Sequence, residues 1–266
     1  MLKIFITLIS IILLSSPISI FASTQNNLNN TELSWYYTFD KNLNSLVPPK
    51  EAKFLNDNLA LYKGDENEKV LYLTFDEGYE QGYTSKIVDI LNENKVPAAF
   101  FVTKYYITKE PEIIKKMYDS GHLVCNHSHK HKSMPTLVGK PEFKTEFTDV
   151  EKAFTEVTGG KMPIYFRPPM GKYSQRSLEE TRKLGYISVF WSFAHKDWLV
   201  DNQPTPEQAF KKITSNIHNG QILLLHACSK TNTEILDKLI KHLKSEGYRF
   251  ESLDYLYKTT QNKEKN

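Results

Sequence analysis

Between residues 70 and 253 short apolar runs alternate with segments whose apolar residues recur at helical spacing. That alternation predicts repeated βα units and a mostly parallel sheet. The runs expected as strands are 70–75, 98–102, 122–125, 163–166, 187–191, 222–225 and 249–253. The segments between them carry helix punctuation. Ser174 and Thr205 stand where N-caps are expected, Pro206 at a first helical position, and Gly121, Gly159, Gly185, Gly220 and Gly247 just past helix ends.

Five of the seven runs end in polar side chains suited to chemistry. Asp76 and Glu77 follow the first, "NHSHKH" the third, "RPPMGKY" the fourth, "SFAHKDW" the fifth, and His226 the sixth. A closed parallel barrel gathers the carboxyl ends of all its strands on one face, whereas an open doubly wound sheet gathers them only near its switch point. The expected architecture is therefore an α/β barrel of about seven strands. Residues 23–69 are mixed in pattern and read as a linker and an irregular arm packed on the domain at 70–257. The polar segment 258–266 is expected to fray.

In "HSHKH", residues 127–131, a helical turn would put His127 and His131 on one face and turn His129 away. Two imidazoles and one carboxylate, with positions open to water, make a hydrolytic metal site; a solvated helix start is the plain alternative. Adjacent Asp76 and Glu77 repel one another unless each has its own cationic or hydrogen-bonding partner. A metal for one and the planar fork of Arg167 for the other meet that need. Gly78 permits the turn that would let both carboxylates serve one site. Asp197 beside Trp198 also fits a capping carboxylate next to a core aromatic, and His226 at the end of "ILLLH" also fits a satisfied core histidine.

The amino terminus has Lys3, an apolar stretch over 4–14, Pro17 and Ala22. It reads as a secretory signal peptide over 1–22, with an uncleaved anchor as the alternative. Either places the domain outside the cytoplasmic membrane. Export permits a Cys125–Cys228 disulfide, although each cysteine also reads as a small buried hydrophobe. A net charge of +3 without a basic run gives no ground for a nucleic-acid partner. Fifteen Tyr and fifteen Phe suit either sugar stacking or an ordinary core.

Taken in order, "TFDEG", "HSHKH", "RPPMG", "DW" and "LLLH" resemble the motifs of the polysaccharide deacetylases, carbohydrate esterases with a distorted (β/α)7 barrel. Within that family "TFDEGYEQGYT", "FWSFAHKDWLVDNQPT" and "ILLLHACSKTNTEILDKLI" are most similar to the muramic-acid deacetylases that prepare δ-lactam in spore cortex. The resemblance implies that Glu77, His127 and His131 hold a divalent metal, zinc or another first-row ion, with Asp76 as general base oriented by Arg167. It implies His226 as general acid tuned by Asp197, an oxyanion contact from the Tyr173 amide, Leu224 at the acetyl methyl group and Trp198 as a wall. It further implies an exported monomer acting on peptidoglycan glycan strands, touching the membrane only if the leader stays uncleaved. N-acetylglucosamine in peptidoglycan or chitin-like oligomers is the alternative substrate, and a glycan-binding protein without turnover the alternative class. Two departures stand out: the family usually has Asp where this chain has Glu77, and Ala194 replaces the first Asp of a D-x-x-D-W motif.

Overall fold

The computed structural model describes residues 28–40, 45–57 and 60–263, so the leader lies outside the described residues. The arm contributes β1 (Leu33–Ser34), β2 (Thr38–Asp40), β3 (Ser45–Val47) and β4 (Ala60–Leu61). There follow β5 (Val70–Glu77), α1 (Thr84–Glu93), β6 (Ala98–Val102), α2 (Lys104–Lys109), α3 (Pro111–Asp119), β7 (Leu123–Asn126) and α4 (Pro141–Thr158). Next come β8 (Tyr165–Phe166), β9 (Lys172–Tyr173), α5 (Gln175–Lys183), β10 (Ile187–Val189) and β11 (Phe193–Ala194). The chain ends in α6 (Pro206–Thr214), β12 (Gln221–His226), α7 (Lys230–Ser245), β13 (Arg249–Phe250) and α8 (Leu253–Lys263). All seven expected strands are present. The polar residues 258–263 continue α8, and 264–266 lie outside the described residues.

The main sheet runs β11-β12-β5-β6-β7-β8-β10-β4, with neighbours parallel, and β13 adds to the start of β5. β10 and β11 belong to one extended stretch, whose first half pairs with β8 and whose second half pairs with β12. The backbone N–H of Phe190 donates to Leu61 O and that of Ser192 to Ile222 O, so the stretch changes partner between them. The parallel sheet thereby curls into the expected barrel, and the change of partner is its distortion.

The arm belongs to this closure. β4 enters the sheet beside β10, Lys63 bridges to Gln221, and the N–H of Gly64 donates to Gly220 O at 2.6 Å. Gly220 has φ +70°, and a Cβ there would meet Gly64 C at 2.6 Å. Glycine is required at this crossing both by the backbone conformation and by the space.

Strand alternation separates two cores. Leu71, Leu73 and Phe75 face the helices with Phe100, Val124, Leu223 and Leu225. Val70, Tyr72, Phe101, Cys125 and Ile222 fill the barrel interior. Both cysteines are buried and free, so the hydrophobe reading holds and the disulfide does not form. The anticipated caps are in place: Ser174 and Thr205 each complete a capping box, and Gly159 ends α4 in the left-handed region.

Candidate active site

Asp76 and His226 are register partners on neighbouring strands β5 and β12, on the face that points into the barrel. Thr74 and Leu224 lie one layer below on the same face. A cleft of about 890 Å³ opens above them, lined among others by Asp76, His127, His131, Trp198, Leu224 and His226. Parallel pairing thus brings a carboxylate and an imidazole side by side from positions 150 residues apart.

Arg167 lies beneath Asp76, fully buried. Its Nη1 donates to Asp76 Oδ1 at 2.7 Å, its Nε to Val189 O at 3.1 Å, and its Nη2 to Thr74 Oγ1 at 3.0 Å and Phe190 O at 3.3 Å. The guanidinium also stacks 4.1 Å from the centre of the Phe101 ring. Every nitrogen therefore has a partner, which a buried cation requires. Burial pushes the Asp76 carboxyl up, but the charge of Arg167, helped by His127 and His226, outweighs it and leaves the pKa below 3.8. Asp76 is a carboxylate at neutral pH.

His226 is set the other way. Burial pushes its pKa down, but the hydrogen bond and charge of Asp197 more than reverse this and lift it above 6.5. The Nδ1–H donates to Asp197 Oδ1 at 2.7 Å, and the backbone N–H of His226 donates to Oδ2 at 2.9 Å. Asn232 Nδ2 donates to the same Oδ2 at 2.6 Å, fixing a carboxylate that is completely buried. With Nδ1 engaged, Nε2 is the nitrogen left to work. Trp198, 43% exposed, packs its ring 5.4 Å from that of His226 and walls the cleft.

"HSHKH" is a loop and not a helical turn. Ser128 and His131 take positive φ values of 72° and 53°, and the His131 N–H donates to Ser128 Oγ at 2.9 Å. This tight loop still brings the His127 and His131 rings into edge contact at 4.9 Å. His129 turns away to Asp149, with Nδ1 3.0 Å from its carboxylate. The pairing expected from helical spacing is present, but its cause is a left-handed loop. His127 Nδ1–H donates to Arg167 O at 2.8 Å, which leaves Nε2 as an acceptor. Burial lowers the pKa of His127 to about 4, against the pull of Asp76, so the ring is neutral at pH 7.

Glu77 lines the same cleft as these histidines but is not drawn into contact with them. β5 stays extended to its last residue, and the register pairs Glu77 with Val102 on the helix-facing side that carries Leu73 and Phe75. The turn that would have aimed both carboxylates at one point does not occur before Glu77. The carboxylate against His127 Nε2 is Asp76, whose Oδ2 is 3.6 Å away. Glu77 is buried and, among the described residues, neither of its oxygens has a hydrogen-bond partner. Burial, then the nearby Glu80 and Asp76, push its pKa well above 4.5. Among the described residues no three His, Cys, Asp or Glu side chains converge as a ready metal centre. The donor chemistry nonetheless suits a divalent ion: two touching imidazoles, one with Nε2 held free, and an orphaned carboxyl at the neighbouring strand end.

Tyr173 is not among the residues that line the cleft. It belongs to β9, pairs with Leu33 of the arm, and buries its ring against Trp35 and Phe190. The cleft is reached instead by Met170, with φ 58°, and Gly171 of the same loop. The arm supports that loop: the Trp35 N–H donates to Gly171 O at 2.8 Å, and its indole N–H to Trp191 O at 2.9 Å. Thr74, Asn232, Met170 and Trp35 were not singled out from the sequence. Only Thr74 had a signal there, since it is two residues before Asp76 on the same strand.

Comparison with known proteins agrees with this geometry. Residues 63–189 match the polysaccharide deacetylase family. The chain is 39% identical over 231 residues to the peptidoglycan-N-acetylmuramic acid deacetylase PdaA of Bacillus subtilis, covering 85% of this chain and 86% of that one. The solved structure of Bacillus subtilis PdaA, a family 4 carbohydrate esterase, superposes with a TM-score of 0.83 at 37% identity, over 88% of this chain and 100% of that one. A peptidoglycan-N-acetylglucosamine deacetylase of Bacillus cereus is 29% identical over 195 residues, 71% of this chain and 89% of the relative.

Proposed function

Because the chain belongs to the polysaccharide deacetylases, the family 4 carbohydrate esterases, we propose that it is a peptidoglycan deacetylase acting on N-acetylmuramic acid. The observation that carries the chemistry is the register pair Asp76 and His226, whose pKa values are pushed apart by separate partners. Hydrolysis of an amide needs a base to take a proton from water and an acid to give one to the departing amine. Asp76, kept ionised by Arg167, takes the water proton as the water oxygen bonds to the acetyl carbon. His226, its pKa raised by Asp197, gives its Nε2 proton to the amine nitrogen as the C–N bond breaks, leaving acetate and a free sugar amine. Arg167 and Asp197 hold these two groups and touch no substrate.

A divalent metal ion, zinc or another first-row ion, would polarise the acetyl carbonyl and acidify the water when bound. His127 and His131 would supply its nitrogen ligands, and the end of β5 its carboxylate, from Glu77 or Asp76. Leu224 lies where the acetyl methyl group would rest, and Trp198 offers a ring face to the sugar. Tyr173 does not line the cleft and the Gly171 N–H donates to Pro168 O, so an oxyanion contact would fall to the backbone N–H of Met170.

The muramic-acid assignment draws on the higher identity to PdaA than to the glucosamine deacetylase. Removing acetyl from muramic acid frees an amine near the lactyl carboxyl, the precondition for closing a δ-lactam as in spore cortex. Such a substrate places the working enzyme outside the cytoplasmic membrane, in keeping with the leader at 1–22. Acetate release from peptide-stripped glycan strands, with metal supplied, tests the activity; Asp76→Asn should abolish it. Mass spectrometry of the digested strands should place the lost acetyl on muramic acid. Loss confined to glucosamine would overturn the assignment.

A further inference from the structure

Two ammonium groups line the cleft and, among the described residues, neither is paired with a carboxylate. Lys130 lies in the loop after β7, and Lys196 immediately precedes Asp197 in the segment after β11. In the sheet order these loops stand on either side of β12 and β5, which carry His226 and Asp76. Among the described residues neither Nζ makes an ion pair or a hydrogen bond, and of the carboxylates nearby only Glu77, buried at the end of β5, is also without a partner. Glu146 Oε2 accepts the backbone N–H of Lys130 at 2.7 Å, and Asp149 is taken by His129 and Lys104. Asp197 is taken by His226 and Asn232, and Asp76 by Arg167. Both lysines are exposed and have long flexible stems, so each can swing over the cleft.

An exposed lysine is ordinarily just solvated, and one alone would carry no meaning. These two share a cleft with the reacting pair, and the substrate class proposed above has an anion to meet them. N-acetylglucosamine is neutral. Muramic acid bears a lactyl group on the ring carbon next to the one carrying the acetamido nitrogen. When the acetamido group lies between Asp76 and His226, that lactyl group is held one ring bond away, within the same cleft. Its carboxylate is free only where the peptide stem has been removed; with the stem attached it is a neutral amide. Resting on the muramic-acid reading, we infer that Lys130 and Lys196 bind the free lactyl carboxylate and so select peptide-free muramic acid.

The test compares two substrates: peptide-stripped glycan strands, and the same strands with the lactyl carboxyls converted to neutral methylamides. Acetate release is measured for the wild type, for Lys130→Gln with Lys196→Gln combined, and for the corresponding double Arg variant. For the wild type, KM should be roughly tenfold higher on the neutral strands, the scale of one charge-assisted contact. The double Gln variant should show a similar rise in KM on the charged strands, with the loss falling on KM rather than kcat, and should no longer distinguish the substrates. The double Arg variant keeps the charge and should keep the preference. Wild type that processes both strands equally would overturn the inference while leaving the deacetylase reading intact. So would a Gln variant that still discriminates fully, or one losing kcat equally on both substrates. Wild type that releases acetate from glucosamine alone would instead overturn the muramic-acid reading itself.

Discussion

Replacing Asp197 by Asn removes one charge while keeping the shape of the side chain. Asp197 Oδ1 accepts the His226 Nδ1–H at 2.7 Å in a fully buried setting, and the carboxylate is the main group raising the pKa of His226. A hydrogen bond to a charged group contributes about 1.5–3 kcal/mol, which corresponds to about one to two pKa units. Losing it should drop the imidazole from above 6.5 to well below it. At pH 7 the protonated fraction, and with it kcat, should fall roughly ten- to a hundredfold. The assay is kcat for acetate release against pH. In the wild type the alkaline limb should lie above pH 6.5, and in Asp197→Asn it should move to lower pH. Stability supplies a second readout. A histidine whose folded pKa is raised stabilises the fold fully below its unfolded value, and that contribution disappears as pH rises through the folded value. This part of the wild type's advantage in Tm over Asp197→Asn should therefore be greatest below about pH 6.5 and shrink above it. An alkaline limb that does not move, with kcat lowered equally at every pH, would show that Asp197 only positions His226 and would refute the charge argument.

Two further outcomes follow from the geometry. His127→Ala, His131→Ala and Glu77→Gln should each lower the metal retained on equilibrium dialysis, while His129→Ala, whose ring turns to Asp149, should retain it; equal loss in all four would remove the basis for the two-histidine site. Gly220→Ala should lower stability by at least about 1–2 kcal/mol from its left-handed backbone alone. The clash with Gly64 adds to this, and an unchanged urea midpoint would mean that the arm does not clamp the barrel there.

What the sequence discloses and what it hides divide along one physical line. β5, β6 and β12 are each long enough for alternation to define two faces, and their apolar runs are unmistakable. From that alternation Asp76 and His226 follow as neighbours of one site. The same rule sends Asp76 and Glu77 to opposite faces of the strand, although both line the cleft at its end. The sequence allowed a turn at Gly78, but the ladder to Val102 runs through Glu77, so no turn intervenes before it. Hidden features rest on pieces too short to have a period. β4, β9 and β11 have two residues each, and what fixes them is pairing with distant strands. For that reason the arm's place in the barrel, and the burial of Tyr173 against it, could not be read from local pattern. "HSHKH" is the instructive case, since two different backbones satisfy the same requirement. A helical turn and a loop with left-handed Ser128 and His131 both bring the first and last imidazoles together and send the middle one away. The spacing of ligand residues is thus a constraint on where side chains meet, and the backbone that achieves it is settled by what packs around it. Here that is the Arg167 carbonyl gripping His127 and Asp149 drawing His129 outward.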